Sequence, residues 1–176
     1  MGFTSALVVE EIDGKFWKVR EPLKYQGADE EFEVPADFRT DFASVPRPLV
    51  WLIPRYGVYT RAAILHDYLC RTERVSAADA DGIFRRTLRE CDVSRPRRWM
   101  MWAAVRLGSR LAGITPAAFA VWLVIAVASV VFLAIPTVVV TVFLVLFWFV
   151  ELIAWAVDRL APPERRTAVP RPQMKT

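Results

Sequence analysis

Three groups of polar side chains fall at segment junctions of this chain. Thr40-Asp41-Phe42-Ala43-Ser44-Val45-Pro46-Arg47 reads as a loop, His66-Asp67-Tyr68-Leu69 lies in a helical pattern, and Asp81 lies in the next one. Brought together, they would gather Asp41, His66, Asp67 and Asp81 into one cluster. A histidine among carboxylates suits a divalent metal, with Asp41, His66 and Asp81 as ligands, or a general base held by an orienting carboxylate. Asp67 would then orient His66, with Ser44, Arg47 and Tyr68 as binding candidates beside it. Each residue also has a plain structural explanation. A histidine on an amphipathic helix is commonly a hydrogen-bonded core residue. Asp41 and Ser44 can tie down a loop through side chain-to-backbone turns, and Asp81 with Arg85 makes an ordinary helix pair. Spacing alone does not select the catalytic reading.

The order of these elements resembles the phage and prophage family catalogued as domain-of-unknown-function family 1353. The resemblance rests on Thr40–Ser44 followed by Pro46-Arg47, on His66–Leu69, and on Ala80-Asp81 with Phe84, and it covers roughly residues 5–112. Val34-Pro35-Ala36-Asp37-Phe38 also fits, with Asp37 where a glycine is common, while Cys70 replaces the usual aromatic. The resemblance implies a phage or prophage origin and marks Asp41, His66, Asp67 and Asp81 as a shared polar cluster. It implies no activity. The adjacent His66-Asp67 pair is also similar to the dyad of metal-dependent phosphohydrolases, but those need further histidines and this chain has one.

The elements that must position these residues make a small α+β head. Ala6–Ile12 and Lys15–Val19 read as a β-hairpin about Asp13-Gly14, a pair that favours a two-residue turn with positive φ. Phe32-Glu33-Val34 is a further extended stretch. Pro46 and Pro48 rule out a continuing helix where they stand. Tyr59–Arg71 has Ala62, Leu65 and Leu69 at amphipathic spacing. Ser76 is an N-cap for Ala77–Glu90, with Asp79 at the acidic position of a capping box and Ile83, Phe84 and Leu88 on the core face. A third helix, roughly Arg97–Leu111, leads onward, and its Trp99, Trp102, Arg106 and Arg110 suit either a membrane interface or packing on the head.

Composition divides the chain at residue 114. The mean hydropathy of +0.28 and 55% hydrophobic residues exclude a disordered chain. Residues 1–83 carry a net charge of −4, residues 84–114 carry +6 and residues 115–176 carry +2. From Thr115 to Val157 the only charged residue is Glu151. The expected domains are a soluble head (1–114), a transmembrane helical hairpin (115–157) and a basic Pro/Arg-rich tail (158–176). Ala117–Ile135 and Thr137–Val157 would each make a helix of about 30 Å, the thickness of a bilayer core. Pro136 lies between them as the expected break, though the uncharged apex also allows a shallow re-entrant hairpin.

The charge pattern also orients the chain. Arg106 and Arg110 before the first span, and Arg159, Arg165 and Arg166 after the second, place both termini in the cytoplasm. Trp122 and Trp155 read as interfacial anchors. An acidic head and the lack of any nucleic-acid motif speak against nucleic acid as a partner of the Arg collar; the partners expected are the lipid bilayer, copies of the chain, or other phage proteins. Cys70 and Cys91 lack disulfide or zinc spacing and suit a reducing compartment. Met1–Glu10 has no signal-peptide pattern, so targeting falls to the C-terminal half.

Three functions compete. The first is a phage or prophage accessory protein anchored in the host inner membrane, or carried in a virion, that acts in lysis, envelope modification or infection. The second is a peptidase-like hydrolase head that uses a metal or a His/Asp base. The third is a holin-like oligomer, against which stands a hairpin whose polar residues are only Ser129, Thr137, Thr141 and Glu151.

Overall fold

The computed structural model describes residues 2–28, 30–109, 111, 113–159 and 168–171. Strands come first and helices follow. β1 (Gly2–Phe3), β4 (Leu23–Gln26) and β5 (Glu31–Val34) form one antiparallel sheet in the order β1-β4-β5. β2 (Val9–Glu11), β3 (Trp17–Val19) and β6 (Arg39–Thr40) form a second in the order β2-β3-β6. Leu23 and Tyr25 on β4 and Phe32 and Val34 on β5 point inward, and Leu23 faces Val34 while Tyr25 faces Phe32. Their neighbours Lys24 and Glu33 stay in water, as the two-residue period of a half-buried sheet requires.

The expected hairpin forms, with Val9 opposite Val19 and Glu11 opposite Trp17, but its turn differs. The loop is longer than two residues, closed by the Ile12 N–H on the Phe16 carbonyl. The Asp13 carboxylate accepts from the amides of Lys15 and Phe16, each at 2.8 Å. That side-chain turn does the work assigned to positive φ, and Gly14 keeps an ordinary φ.

Three helices follow: α1 (Thr60–Thr72), which packs on the sheets, α2 (Ala77–Glu90), and α3 (Arg95–Gly108), which packs on α2. α1 is central. Ile64, Leu65, Tyr68 and Leu69 pack on the sheet residues Val19, Leu23, Phe32 and Val34. Ala62 and Ala63 face a second core of Phe84, Leu88, Val93 and Met101. Ser76 caps α2 as its sequence requires: its Oγ accepts from the Asp79 amide at 3.2 Å and donates to the Asp79 carboxylate at 2.6 Å. α3 begins with proline at its second residue, Pro96, where the missing N–H costs nothing.

The C-terminal apolar stretch is one helix, α4 (Pro116–Asp158), 43 residues long, and the expected hairpin is not seen. Pro136 lies inside it. A helical proline removes one donor and crowds one carbonyl, which leaves the rest of the hydrogen-bond ladder intact. Ala134–Thr137 also holds neither Gly nor Asn, the residues that most readily end a helix. α4 packs against α3 and against a 3-10 turn at Arg47–Leu49, and the Trp122 indole N–H donates to the Ala103 carbonyl of α3 at 3.1 Å. Near its far end, Trp148 donates to the Pro170 carbonyl at 3.0 Å, so residues 168–171 lie back along the helix.

Candidate functional site

The loop after β6 sets the first group of candidates. Phe42 adopts φ +62, a conformation seldom held by a bulky residue. Its amide donates to Thr40 Oγ1 at 3.0 Å and its ring stacks on Trp17 at 5.3 Å, which fixes the turn and buries the phenyl group. The twist sets Asp41 beside Ser44, whose hydroxyl donates to Asp41 Oδ2 at 2.5 Å. Arg55 straps the loop to the β2–β3 turn through the carbonyls of Asp41 and Lys15. Sequence reasoning had no signal for that arginine.

α1 and α2 meet at the second group. His66 Nε2 lies 2.9 Å from Asp81 Oδ1, and the His66 ring rests on Phe84 with centroids 4.8 Å apart. The other carboxylate oxygen of Asp81 accepts from Arg106 Nη1 at 3.2 Å and from Ser109 Oγ at 2.8 Å. Asp81 and Arg106 are both buried. Three helices are thus pinned at one carboxylate. Arg106 does not belong to a membrane-surface collar as its charge suggests; it is the counter-charge of Asp81, and Arg85, expected to pair with Asp81, lies over Trp99 and Trp102 instead. Arg110 lies outside the described residues.

The electrostatics follow from this arrangement. Burial pushes the imidazole of His66 toward neutrality, but hydrogen bonds to Asp81 and Cys70 overcome it and hold the pKa up at about 9. Burial likewise opposes ionisation of Asp81, and its bonds to His66, Ser109 and Arg106 prevail, holding it below the ordinary carboxylate range. His66 is therefore an imidazolium at neutral pH, without a free base function at Nε2. Cys70 Sγ is 3.5 Å from the same nitrogen, so cysteine and aspartate do not flank the ring in a relay.

Asp67 points elsewhere. Its Oδ1 pairs with Arg71 at 2.9 Å, while its Oδ2 is buried without a hydrogen-bond partner. Burial raises its pKa above the ordinary value, the Arg71 charge opposes this, and the Asp41 charge reinforces it. Asp41, Ser44, His66 and Asp67 line a common cavity of about 360 Å³ whose remaining wall includes Phe42, Phe84 and Met101. On the other side of His66 a wider cleft of about 830 Å³ is lined by Asp81, Ser109, Ser76 and Arg74, and His66 with Cys70 forms the partition between the two.

The structure thus brings Asp41, Ser44, His66 and Asp67 to one cavity and sets Asp81 behind the histidine. Tyr68 is in the core, edge-on to Phe38 at 5.5 Å, and not at a binding surface. Arg47 opens the 3-10 turn and lines neither cavity. The residues do not suit a divalent metal: among the described residues no three of His, Cys, Asp and Glu converge on one point. Asp81 is also already neutralised by a guanidinium and an imidazolium, which would repel a cation.

A family model described as protein of unknown function (DUF1353) matches residues 17–105, just over half of the chain. The chain belongs to this family. Comparison with curated proteins and with solved structures gives no match. The family region runs from β3 into α3, so it contains Asp41, His66, Asp67 and Asp81 but stops one residue before Arg106. Asp37 holds a left-handed φ of +69, a conformation that glycine adopts without steric cost.

Proposed function

We propose that this member of the family is a membrane-anchored accessory protein of phage or prophage type that acts at the host inner membrane. The observation that carries the reading is α4, with a mean hydropathy of 2.9 over its most apolar window and none of that window buried. Side chains on every face, among them Val124, Val131, Ile135, Phe143 and Ile153, are more than half exposed to the surroundings. A helix apolar on all sides needs an apolar solvent. At about 64 Å it is twice a bilayer core, so only part of it is inserted.

The half that meets α3 and the 3-10 turn on one side, its outer face still exposed, stays with the head, and Thr137–Val157, about 31 Å long, crosses. In that arrangement the contact between Trp148 and the tail belongs to the uninserted helix and opens on insertion. The Arg-rich side stays cytoplasmic and the C-terminus emerges opposite, in place of the two cytoplasmic ends expected of a hairpin. The head then serves as a binding module, because its histidine is committed to the brace.

The test is cysteine accessibility in intact cells, with Ser5→Cys and Lys175→Cys placed in turn in a chain lacking Cys70 and Cys91. Labelling of position 175 alone from outside supports the reading. Protection of both positions restores the hairpin, and recovery of the chain in the soluble fraction removes the anchor.

One observation favours a hydrolase as a second reading: the buried Oδ2 of Asp67, without a hydrogen-bond partner and sharing a cavity with Asp41. Burial raises the pKa of Asp67, the direction a general acid needs, and His66 would then be only a brace. Hydrolytic turnover lost in Asp67→Asn and kept in His66→Gln would support it, and equal loss in both would not.

A further inference from the structure

Two cavities outside the polar cluster share a wall. The first is a cleft of about 540 Å³ between α2 and α3, lined by Gly82, Arg85, Arg86, Arg89, Arg98 and Trp99. Arg86 is paired with Glu30 at 2.6 Å. Among the described residues no carboxylate pairs with Arg85, Arg89 or Arg98, so three guanidinium charges converge uncompensated in a protein whose first 83 residues are net acidic. Gly82 borders the cleft, and the space beside its Cα is open. The first turn of α3 carries no acid although it begins Arg95-Pro96-Arg97-Arg98, the wrong sign for a helix N-terminus unless an anion sits near it.

The second cavity is a groove of about 350 Å³ between α3 and α4, lined by Pro96, Met100, Ile125, Ala128, Ser129 and Phe132, with Trp99 again in its wall. The Ser129 hydroxyl is spent on the Ile125 carbonyl of its own helix at 2.6 Å, so the groove presents carbon. Trp99 is therefore the boundary between a cationic compartment and an apolar one, a division that matches the headgroup and the chain of a single anionic phospholipid.

Its position agrees. α3 runs antiparallel to the start of α4: Ala103 meets Trp122, while Pro96 and Met100 share a groove with Ala128 and Phe132. From Phe132 to Thr137 is about 8 Å of helix, which puts the near end of the groove, with Trp99 between it and the Arg cleft, at headgroup depth when Thr137–Val157 spans the bilayer. We infer that the α2–α3–α4 junction is a site for one anionic phospholipid, its phosphate held by Arg85, Arg89 and Arg98 and an acyl chain in the Ala128–Phe132 groove. The inference rests on the membrane-anchored reading above and names the lipid class that reading would take.

Native mass spectrometry of the full chain in mild detergent tests it, with phosphatidylglycerol, phosphatidylcholine and water-soluble glycerophosphate offered separately. The wild-type chain should retain phosphatidylglycerol over phosphatidylcholine. Arg85→Gln/Arg89→Gln/Arg98→Gln should weaken it about 100-fold, at the strength expected of three arginines on an anionic surface. Ala128→Trp, which fills the groove and leaves every arginine in place, should weaken phosphatidylglycerol but not glycerophosphate. Equal retention of the two lipids, or an unchanged triple variant, overturns the site. Phosphatidylglycerol binding that is indifferent to Ala128→Trp reduces it to a bare anion cleft and overturns the lipid assignment. Fractionation of the same wild-type preparation separates the two claims: a chain that sediments with membranes yet shows no lipid preference fails here alone, whereas a soluble chain fails the anchor.

Discussion

The brace at Asp81 makes the stability of the head depend on pH in a direction that can be worked out. His66 is held at about 9 against an ordinary 6.5, so its contribution is fully present below about 6.5 and is lost as pH rises through about 9. A difference of that size corresponds to about 3 kcal/mol. Asp81, held low, adds stability above its ordinary 3.8 that is lost on acidification, so the pair is most stabilising between about 4 and 6.5. Urea unfolding of the full chain in detergent, followed by near-ultraviolet circular dichroism of the head, reads this out. With an m-value of about 1.5 kcal/mol/M, the midpoint should fall by about 2 M between pH 6.5 and 9. Asp81→Asn should abolish that slope. It should also cost about 3–5 kcal/mol at pH 6.5, because the buried Arg106 guanidinium is left without a counter-charge. Arg106→Met should destabilise while keeping the slope, since His66 and Asp81 remain paired. A slope unchanged in Asp81→Asn would mean that another group titrates, and the assignment of His66 as the brace's imidazolium would be refuted.

Other expectations follow from single contacts. Asp37→Gly removes the cost of a left-handed residue and gives up only the exposed bond to Lys18, so the melting point should stay level or rise, by up to about 1 kcal/mol of stability, whereas Asp37→Ala should lower it. Ser76→Ala should cost about 1 kcal/mol and increase hydrogen exchange at the first turn of α2, with no effect on α3. Trp122→Phe keeps most of the ring and loses the bond to Ala103, so about 1 kcal/mol should disappear at the α3–α4 contact, seen as faster exchange in the second half of α3.

Local chemistry was readable in the sequence wherever one side chain decides the outcome. Ser76 with Asp79 fixes the start of α2, and the spacing of Ala62, Leu65 and Leu69 places α1 within a residue at each end. β4 has a readable signal outside the expected strands: Leu23 and Tyr25 alternate with Lys24 and Gln26 between Pro22 and Gly27. The two-residue strands β1 and β6 carry no such pattern, being defined by their partners Tyr25 and Trp17. At the candidate site, the meeting of His66 with Asp81 followed from the order of the helices. The role of Arg106 did not, because a charge count cannot separate an arginine at a lipid surface from one paired in a core. α4 was misjudged for a related reason. Proline at residue 136 interrupts one hydrogen bond, and only the absence of a turn-forming neighbour shows that the helix continues.

The placement of α3 also determines what counts as a self-sufficient piece of this protein. One face of α3 closes the head through Arg106 and Ser109; the other lies along α4 through Ala103, Met100 and Trp99. A fragment ending where the family region ends, at Val105, would keep the histidine and the aspartate and lose the arginine that pairs with Asp81. A fragment ending at residue 114 would keep the arginine and bare the flank that α4 covers, and such fragments would self-associate through that flank. The segment that defines kinship and the segment that can stand alone in water are of different lengths here, and α4 doubles as a cover for one flank of the head.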